Sequence, residues 1–189
     1  KIDSPAALAR VLAANLLTED DLKVQLSQPL LLRQIIERDY LPKAEAFAAK
    51  VKDFSEFLAA LGPVAPTTPL NLTVTYQDAC HLAHAQGVKD APRKLLRMVP
   101  GLELREMAES AMCCGSGALY NVSQPEESQG LRTRKVRNAA KTEAQVIVTA
   151  NPGCYIQLKQ GVREQGANLQ VIHIADLLDQ LDLAHYLMF

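Results

Sequence analysis

From residue 72 onward the chain alternates short β-rich runs with longer stretches of helical pattern, and this alternation narrows the available folds more than any other feature. Leu72–Tyr76, Leu102–Met107, Gln145–Thr149 and Leu169–Ile174 read as strands, being short apolar runs in which β-branched residues are frequent. Helices are predicted between them, near Ala91–Met98, Glu126–Thr142 and Cys154–Glu164. Strands that pair in parallel need a crossover of about a dozen residues, usually a helix. The spacing therefore predicts an α/β fold, a parallel sheet of about four strands flanked by helices.

The half before it differs. From Pro5 to Leu61 the pattern is helical, punctuated at Pro29 and Pro42, with Ser4 and Thr18 as N-caps. Phe47, Val51, Phe54, Leu58 and Leu61 advance by fours and threes, which predicts one helix face seeking a covering surface. Gly62-Pro63-Val64-Ala65-Pro66-Thr67-Thr68-Pro69 holds three prolines and sustains neither a helix nor an interior strand. The expected organisation is a helical segment at 1–61, a linker at 62–70 and an α/β domain at 71–189.

Twenty basic against 21 acidic residues leave a formal charge of −1, so no cationic excess points to nucleic acid or an anionic membrane. No apolar run reaches the roughly 18 residues of a transmembrane helix, and Lys1-Ile2-Asp3-Ser4-Pro5 lacks a signal-peptide pattern. A soluble, cytoplasmic protein is expected. The start without Met suggests a piece of a longer polypeptide. Four cysteines in 189 residues are too few for a disulfide-stapled fold and fit a reducing compartment, where thiols serve chemistry, metal binding or packing.

Those cysteines follow the strands. Cys80 comes after the first, Cys113 and Cys114 after the second, and Cys154 after the third. Loops leaving the C-terminal ends of parallel strands share one edge of the sheet, where open α/β folds build their sites. Asn151-Pro152-Gly153-Cys154 reads as a strand-to-helix turn that places Cys154 at the positive end of a helix, which favours its thiolate. Cys113 and Cys114 face one centre only if the backbone turns, a freedom that Gly115 and Gly117 supply.

The bland reading of each cysteine is small apolar filler. His81 and His84 beside Cys80 offer nitrogen ligands for zinc, yet lack the usual paired spacing and read better as groups around the site or on a helix surface. His173 and His185 read as structural. Arg132, Arg134, Lys135 and Arg137 read as a solvated face, with compensation of a negative centre as the sharper alternative. Tyr40, Tyr76, Tyr120 and Tyr155 read as packing. Phosphate-binding glycine loops, G-x-S-x-G turns and H-E-x-x-H helices are absent from the sequence.

At Asp78-Ala79-Cys80-His81-Leu82-Ala83-His84, Met112-Cys113-Cys114-Gly115 and Asn151-Pro152-Gly153-Cys154 the sequence resembles the cysteine-rich CCG domain of the glycolate oxidase iron–sulfur subunit family, over roughly residues 40 to 185. Related domains occur in heterodisulfide reductases and in lactate-utilisation proteins. The resemblance implies an iron–sulfur electron-transfer subunit, itself non-catalytic, in a complex whose flavin-binding subunits oxidise a 2-hydroxy acid. It implies Cys80, Cys113, Cys114 and Cys154 as ligands, with His81, Gly115, Asn151 and Gly153 around them. It further implies that this chain is the C-terminal half of such a subunit, held at the inner face of the membrane only through the complex.

The heterodisulfide reductase version closes on a C-x-x-C pair, whereas here Gln157 stands in the second position. Four cysteines remain, the number that a [4Fe–4S] cubane takes, and zinc accepts the same set. The competing expectations are a zinc-stabilised or metal-free interaction module and, ranked last, thiol–disulfide chemistry at the vicinal pair.

Overall fold

In a computed structural model the described residues are 4–14, 18, 31–63, 65–117 and 119–179. Contacts divide the chain into two units, Lys1–Lys52 and Asp53–Phe189. In the first, α1 (Pro5–Ala14) opens where Ser4 Oγ accepts the Ala7 N–H at 3.2 Å, the cap its sequence announces. Residues 31–48 then run helical, through a π-helical turn at Ile36–Tyr40 into α2 (Leu41–Ala48). Pro42 falls in the first turn of α2, so the missing donor coincides with the widened turn before it instead of ending the helix. Pro29, His185 and the stretch after Thr18 lie outside the described residues.

The single apolar helix face expected over Phe47–Leu61 is not formed. α2 ends at Ala48, and α3 (Phe54–Ala60) begins afresh where the Asp53 carboxylate accepts the Ser55 N–H at 2.9 Å. An aspartate that satisfies a free N–H is a better helix start than a helix interior, and it overrides the periodicity. Of the five residues only Leu58 is buried.

The second unit is built on a parallel four-stranded sheet in the order β2-β1-β3-β4, with β1 Leu72–Gln77, β2 Leu102–Leu104, β3 Val146–Thr149 and β4 Gln170–His173. β1 and β3 occupy the centre, paired from Val74↔Val146 to Gln77↔Thr149. β2 stops three residues short of its predicted end. Arg105 still donates its N–H to the Val74 carbonyl at 2.8 Å, after which the chain leaves the ladder.

Alternation along the central strands separates two cores. Val74, Tyr76, Val146 and Val148 face α3, α4 (Asp90–Arg97) and α8 (Ile174–Asp179), where Leu58, Leu95, Leu96, Ile174 and Leu177 cover them. Ile147 faces the other way, onto α6 (Pro125–Ala140) and α7 (Pro152–Gln165), among Val136, Ala139, Leu158, Met107, Cys114 and Cys154. A short α5 (Tyr120–Ser123) precedes α6. Helices on both faces explain why β3 is buried along its whole length and reads as an unbroken apolar run.

α6 and α7 approach closely at Gly161, where an added Cβ would stand 2.6 Å from Arg132 Cγ and 3.0 Å from Val136 Cγ2. Gly161→Val is expected to lower stability by about 1–3 kcal/mol through overpacking. Urea unfolding checks this as a lower midpoint at constant slope. An unchanged midpoint would mean that the two helices part without cost.

Candidate four-cysteine metal centre

All four cysteines are free thiols at the C-terminal rim of the sheet, each in a segment leaving β1, β2 or β3. Cys80 opens the π-helical turn His81–Gln86 after β1. Cys113 and Cys114 sit in the loop after β2, and Cys154 lies in the first turn of α7 after β3. Cys114 and Cys154 are 1% and 4% exposed and belong to the core beneath the rim, while Cys80 and Cys113 are half-buried above it.

The vicinal pair splits. Cys113 acts most strongly on Cys80 and Cys114 on Cys154, so two thiol pairs span three loops. The turn that separates them is made at Gly115, whose φ of +88° is the left-handed region open to glycine. A Cβ there would collide with the Ser128 backbone carbonyl. The Gly115 N–H points back to Cys113 Sγ at 3.3 Å.

This turn is pinned from below. Ser128 Oγ donates to the Gly115 carbonyl at 2.7 Å, and Gln157 Nε2 donates to Ser128 Oγ at 2.8 Å. α6 fastens the preceding stretch as well: Asn138 Nδ2 reaches the Ala108 carbonyl at 3.1 Å, and Lys135 Nζ reaches the carbonyls of Glu109 and Ser110 at 2.7 and 2.8 Å. Asn151 caps α7, its Oδ1 accepting the Cys154 N–H at 3.0 Å. Gly153 leaves room for Ser116 Oγ, which a Cβ would meet at 2.8 Å.

Protonation departs from the expectation based on the helix end. Its hydrogen bond with Cys154 comes first in drawing the Cys114 thiol down to about 7, helped by the Ser116 N–H and the Lys135 charge against burial. Cys154 is pushed the other way, by that same hydrogen bond and then by burial. The two sulfurs thus hold a proton between them and titrate as one pair. Burial and then Cys113 raise Cys80.

Of the nearby histidines, His81 is exposed with Nδ1 3.5 Å from Asn151 Nδ2, and His84 Nε2 lies 3.0 Å from the Ala111 carbonyl. His173 Nδ1 accepts the Ala175 N–H at 3.2 Å. Among the described residues no three His, Cys, Asp or Glu side chains already converge as ligands of one metal ion.

The positive stretch on α6 divides: Arg134 and Arg137 are exposed, as a solvated face requires, with Arg134 paired to Glu109, whereas Arg132 is buried and pairs with Glu164 at 2.8 Å and Lys135 is fully buried. Another ionic group was not visible in the sequence pattern: Arg93 on α4 grips both oxygens of Asp78 at 2.7 and 2.9 Å and both of Glu106 at 2.8 and 2.9 Å. Arg93 also lies over the Tyr76 ring, 5.2 Å from its centroid. Asp78 stands two residues before Cys80, so this clamp fixes the exit of β1. The signal was an acidic residue ending an apolar strand, where burial demands a cation.

Residues 74–159 match the family of cysteine-rich CCG domains. Over 146 residues the chain is 40% identical to a probable glycolate oxidase iron–sulfur subunit of Bacillus subtilis, covering 74% of this chain and 32% of that protein. It is 38% identical over 130 residues to a fumarate reductase (CoM/CoB) subunit of Methanothermobacter marburgensis, covering 68% and 27%. Lactate utilization protein A of Oceanobacillus iheyensis is 31% identical over 142 residues, with 75% and 58% covered. The chain thus spans about a third or less of the first two relatives and under three fifths of the third.

Burial acts to raise the Asp78 carboxyl, but hydrogen bonds from Arg93 and Ser110 and the nearby cations hold it below its ordinary value. A depressed carboxyl contributes stability that is full above the unfolded value of about 3.9 and is lost as pH falls through the folded value. Arg93→Met leaves Asp78 buried and unpaired and is expected to cost about 3–5 kcal/mol at neutral pH. Urea melts between pH 3 and 7 check both points. The variant should lose less stability than the parent on acidification, and an equal loss would assign the acid limb to other carboxylates.

Proposed function

We propose, because the chain carries a CCG cysteine-rich domain, that its α/β part at 71–189 holds an iron–sulfur cluster on Cys80, Cys113, Cys114 and Cys154 and works as an electron-transfer subunit. The observation that carries this reading is the gathering of four free thiols, from the segments leaving three parallel strands, onto one rim of the sheet. The donor set suits such a group. It is all sulfur, half of it is withdrawn from water, and the Gly115 and Ser116 N–H groups point at the sulfurs of Cys113 and Cys114. Hydrogen bonds to sulfur and exclusion of solvent tune the potential of a thiolate-held cluster.

Four cysteines match a [4Fe–4S] cubane by count. Bound there, the cluster would supply storage and passage of single electrons, and the protein supplies everything else. The Asp78–Arg93 clamp and the Asn151 cap fix where Cys80 and Cys154 leave their strands. The Gln157–Ser128–Gly115 chain holds the vicinal pair turned. His81 and Gly153 line the approach. In this reading substrate oxidation belongs to another subunit.

Two of the relatives carry the names of 2-hydroxy acids, glycolate and lactate. The donor is accordingly a flavin-binding subunit of a glycolate oxidase-type complex that oxidises a 2-hydroxy acid, with this chain as the C-terminal part of the relay subunit. Its place is the cytoplasm, at the inner face of the membrane through the complex. No described helix is long and apolar enough to cross a membrane.

Anaerobic reconstitution of this chain with iron and sulfide tests the reading. About four irons per chain and a paramagnetic signal on reduction are expected. Cys114→Ser and Cys154→Ser should each lose most of the iron. Uptake of one zinc with no iron under the same conditions would replace this reading by a zinc-stabilised interaction module.

A further inference from the structure

Lys135 is wholly buried, yet among the described residues it forms no ion pair. Its Nζ donates to two backbone carbonyls, of Glu109 and Ser110. These satisfy hydrogen bonds without cancelling a charge, and an ammonium withdrawn from water is costly unless an anion faces it.

The other cations around the rim are engaged. Arg93 is bound to Asp78 and Glu106, with Arg97 3.6 Å from Glu106, so two guanidiniums meet two carboxylates and that group is neutral. Arg134 has Glu109, and Arg132 has Glu164. Lys135 Nζ is bonded to the loop that leads into Cys113 and Cys114, and the next residue of α6, Val136, packs with Cys114 and Cys154. Of the groups acting on its charge, Asp78 is held by Arg93 and Glu109 by Arg134, which leaves the sulfurs of Cys114, Cys154 and Cys113.

Resting on the iron–sulfur reading, we propose that Lys135 is the internal counter-charge of the four-cysteine centre, placed to favour its reduced state and so set its reduction potential. A cluster held by four thiolates is anionic and gains a further negative charge on accepting an electron. A fixed cation in a poorly screened interior lowers the energy of the reduced form more than that of the oxidised one. The electron comes from an external donor, dithionite in the assay, and no bond to Lys135 forms or breaks. Lys135 is a positioning residue in the electrostatic sense, acting through the field at the ligands.

Two properties should move in opposite directions in Lys135→Gln and Lys135→Met, with Lys135→Arg as the charge-retaining control. Metal-free, reduced protein is expected to be at least as resistant to urea as the parent, since a buried charge without an anion has been removed. Reconstituted protein is expected to show a midpoint potential lower by at least a tenfold shift in the reduction equilibrium, about 59 mV for one electron. A folded neutral variant that takes up no iron, while Lys135→Arg does, supports the same role at assembly.

An unchanged potential in a loaded neutral variant would overturn the inference and leave the iron–sulfur reading standing. So would marked destabilisation of the metal-free Gln variant, which keeps a donor for the carbonyls, because the lysine would then serve the fold. Absence of iron in the parent chain overturns both together.

Discussion

Parallel pairing of β1 with β3 is the constraint on which the rest of this unit depends. Once Val74 lies opposite Val146 and Gln77 opposite Thr149, the chain after both strands must exit on the same side. Cys80 and Cys154 are then neighbours although 74 positions separate them in the sequence. The last rung is reinforced across the strands, where Thr149 Oγ1 donates to Gln77 Oε1 at 2.6 Å and Gln77 Nε2 donates to the Asp78 carbonyl. Both partners are fully buried, so the final register next to the site is fixed by polar groups with no alternative partner in water.

The second strand contributes differently. β2 is only three residues long, and the cysteine pair lies nine residues beyond it, too far for strand geometry to place a side chain. α6 takes over that task. Ser128, Arg134, Lys135 and Asn138 recur on one flank at helical spacing and reach the loop 108–115 through hydrogen bonds to its backbone or to Glu109. A loop with little regular structure of its own is thereby held by one rigid element, which is the condition for a preorganised ligand set.

Much of this was legible in residue order. The four strands, the crossovers and the delivery of the cysteines to one rim follow from period and spacing, because those depend on local geometry. What the order did not carry is which polar groups become buried. Lys135 sits among Arg132, Arg134 and Arg137 in a stretch that looks like a solvated face, and its burial arises only when α6 packs against the loop after β2. The apolar spacing from Phe47 to Leu61 misled for the opposite reason, since Asp53 offers a local cap that ends one helix and starts another. At Cys154 the helix end was read correctly, but a neighbouring sulfur from a distant loop, together with burial, pushes its thiol up.

Gln157 shows how one position can be diverted from ligation to support. It stands three residues after Cys154 on α7, and residues so spaced share a helix face, so a thiol there would look toward the same region as Cys154. The amide instead runs beneath the rim, 3% exposed, and donates to Ser128 Oγ, whose own proton goes to the Gly115 carbonyl. Cysteine is a weak and shorter donor and would leave this chain of hydrogen bonds incomplete. The Gly115 turn is what sends Cys113 to Cys80 and Cys114 to Cys154, so the side chain that withholds a fifth sulfur is also the one that keeps the other four in place.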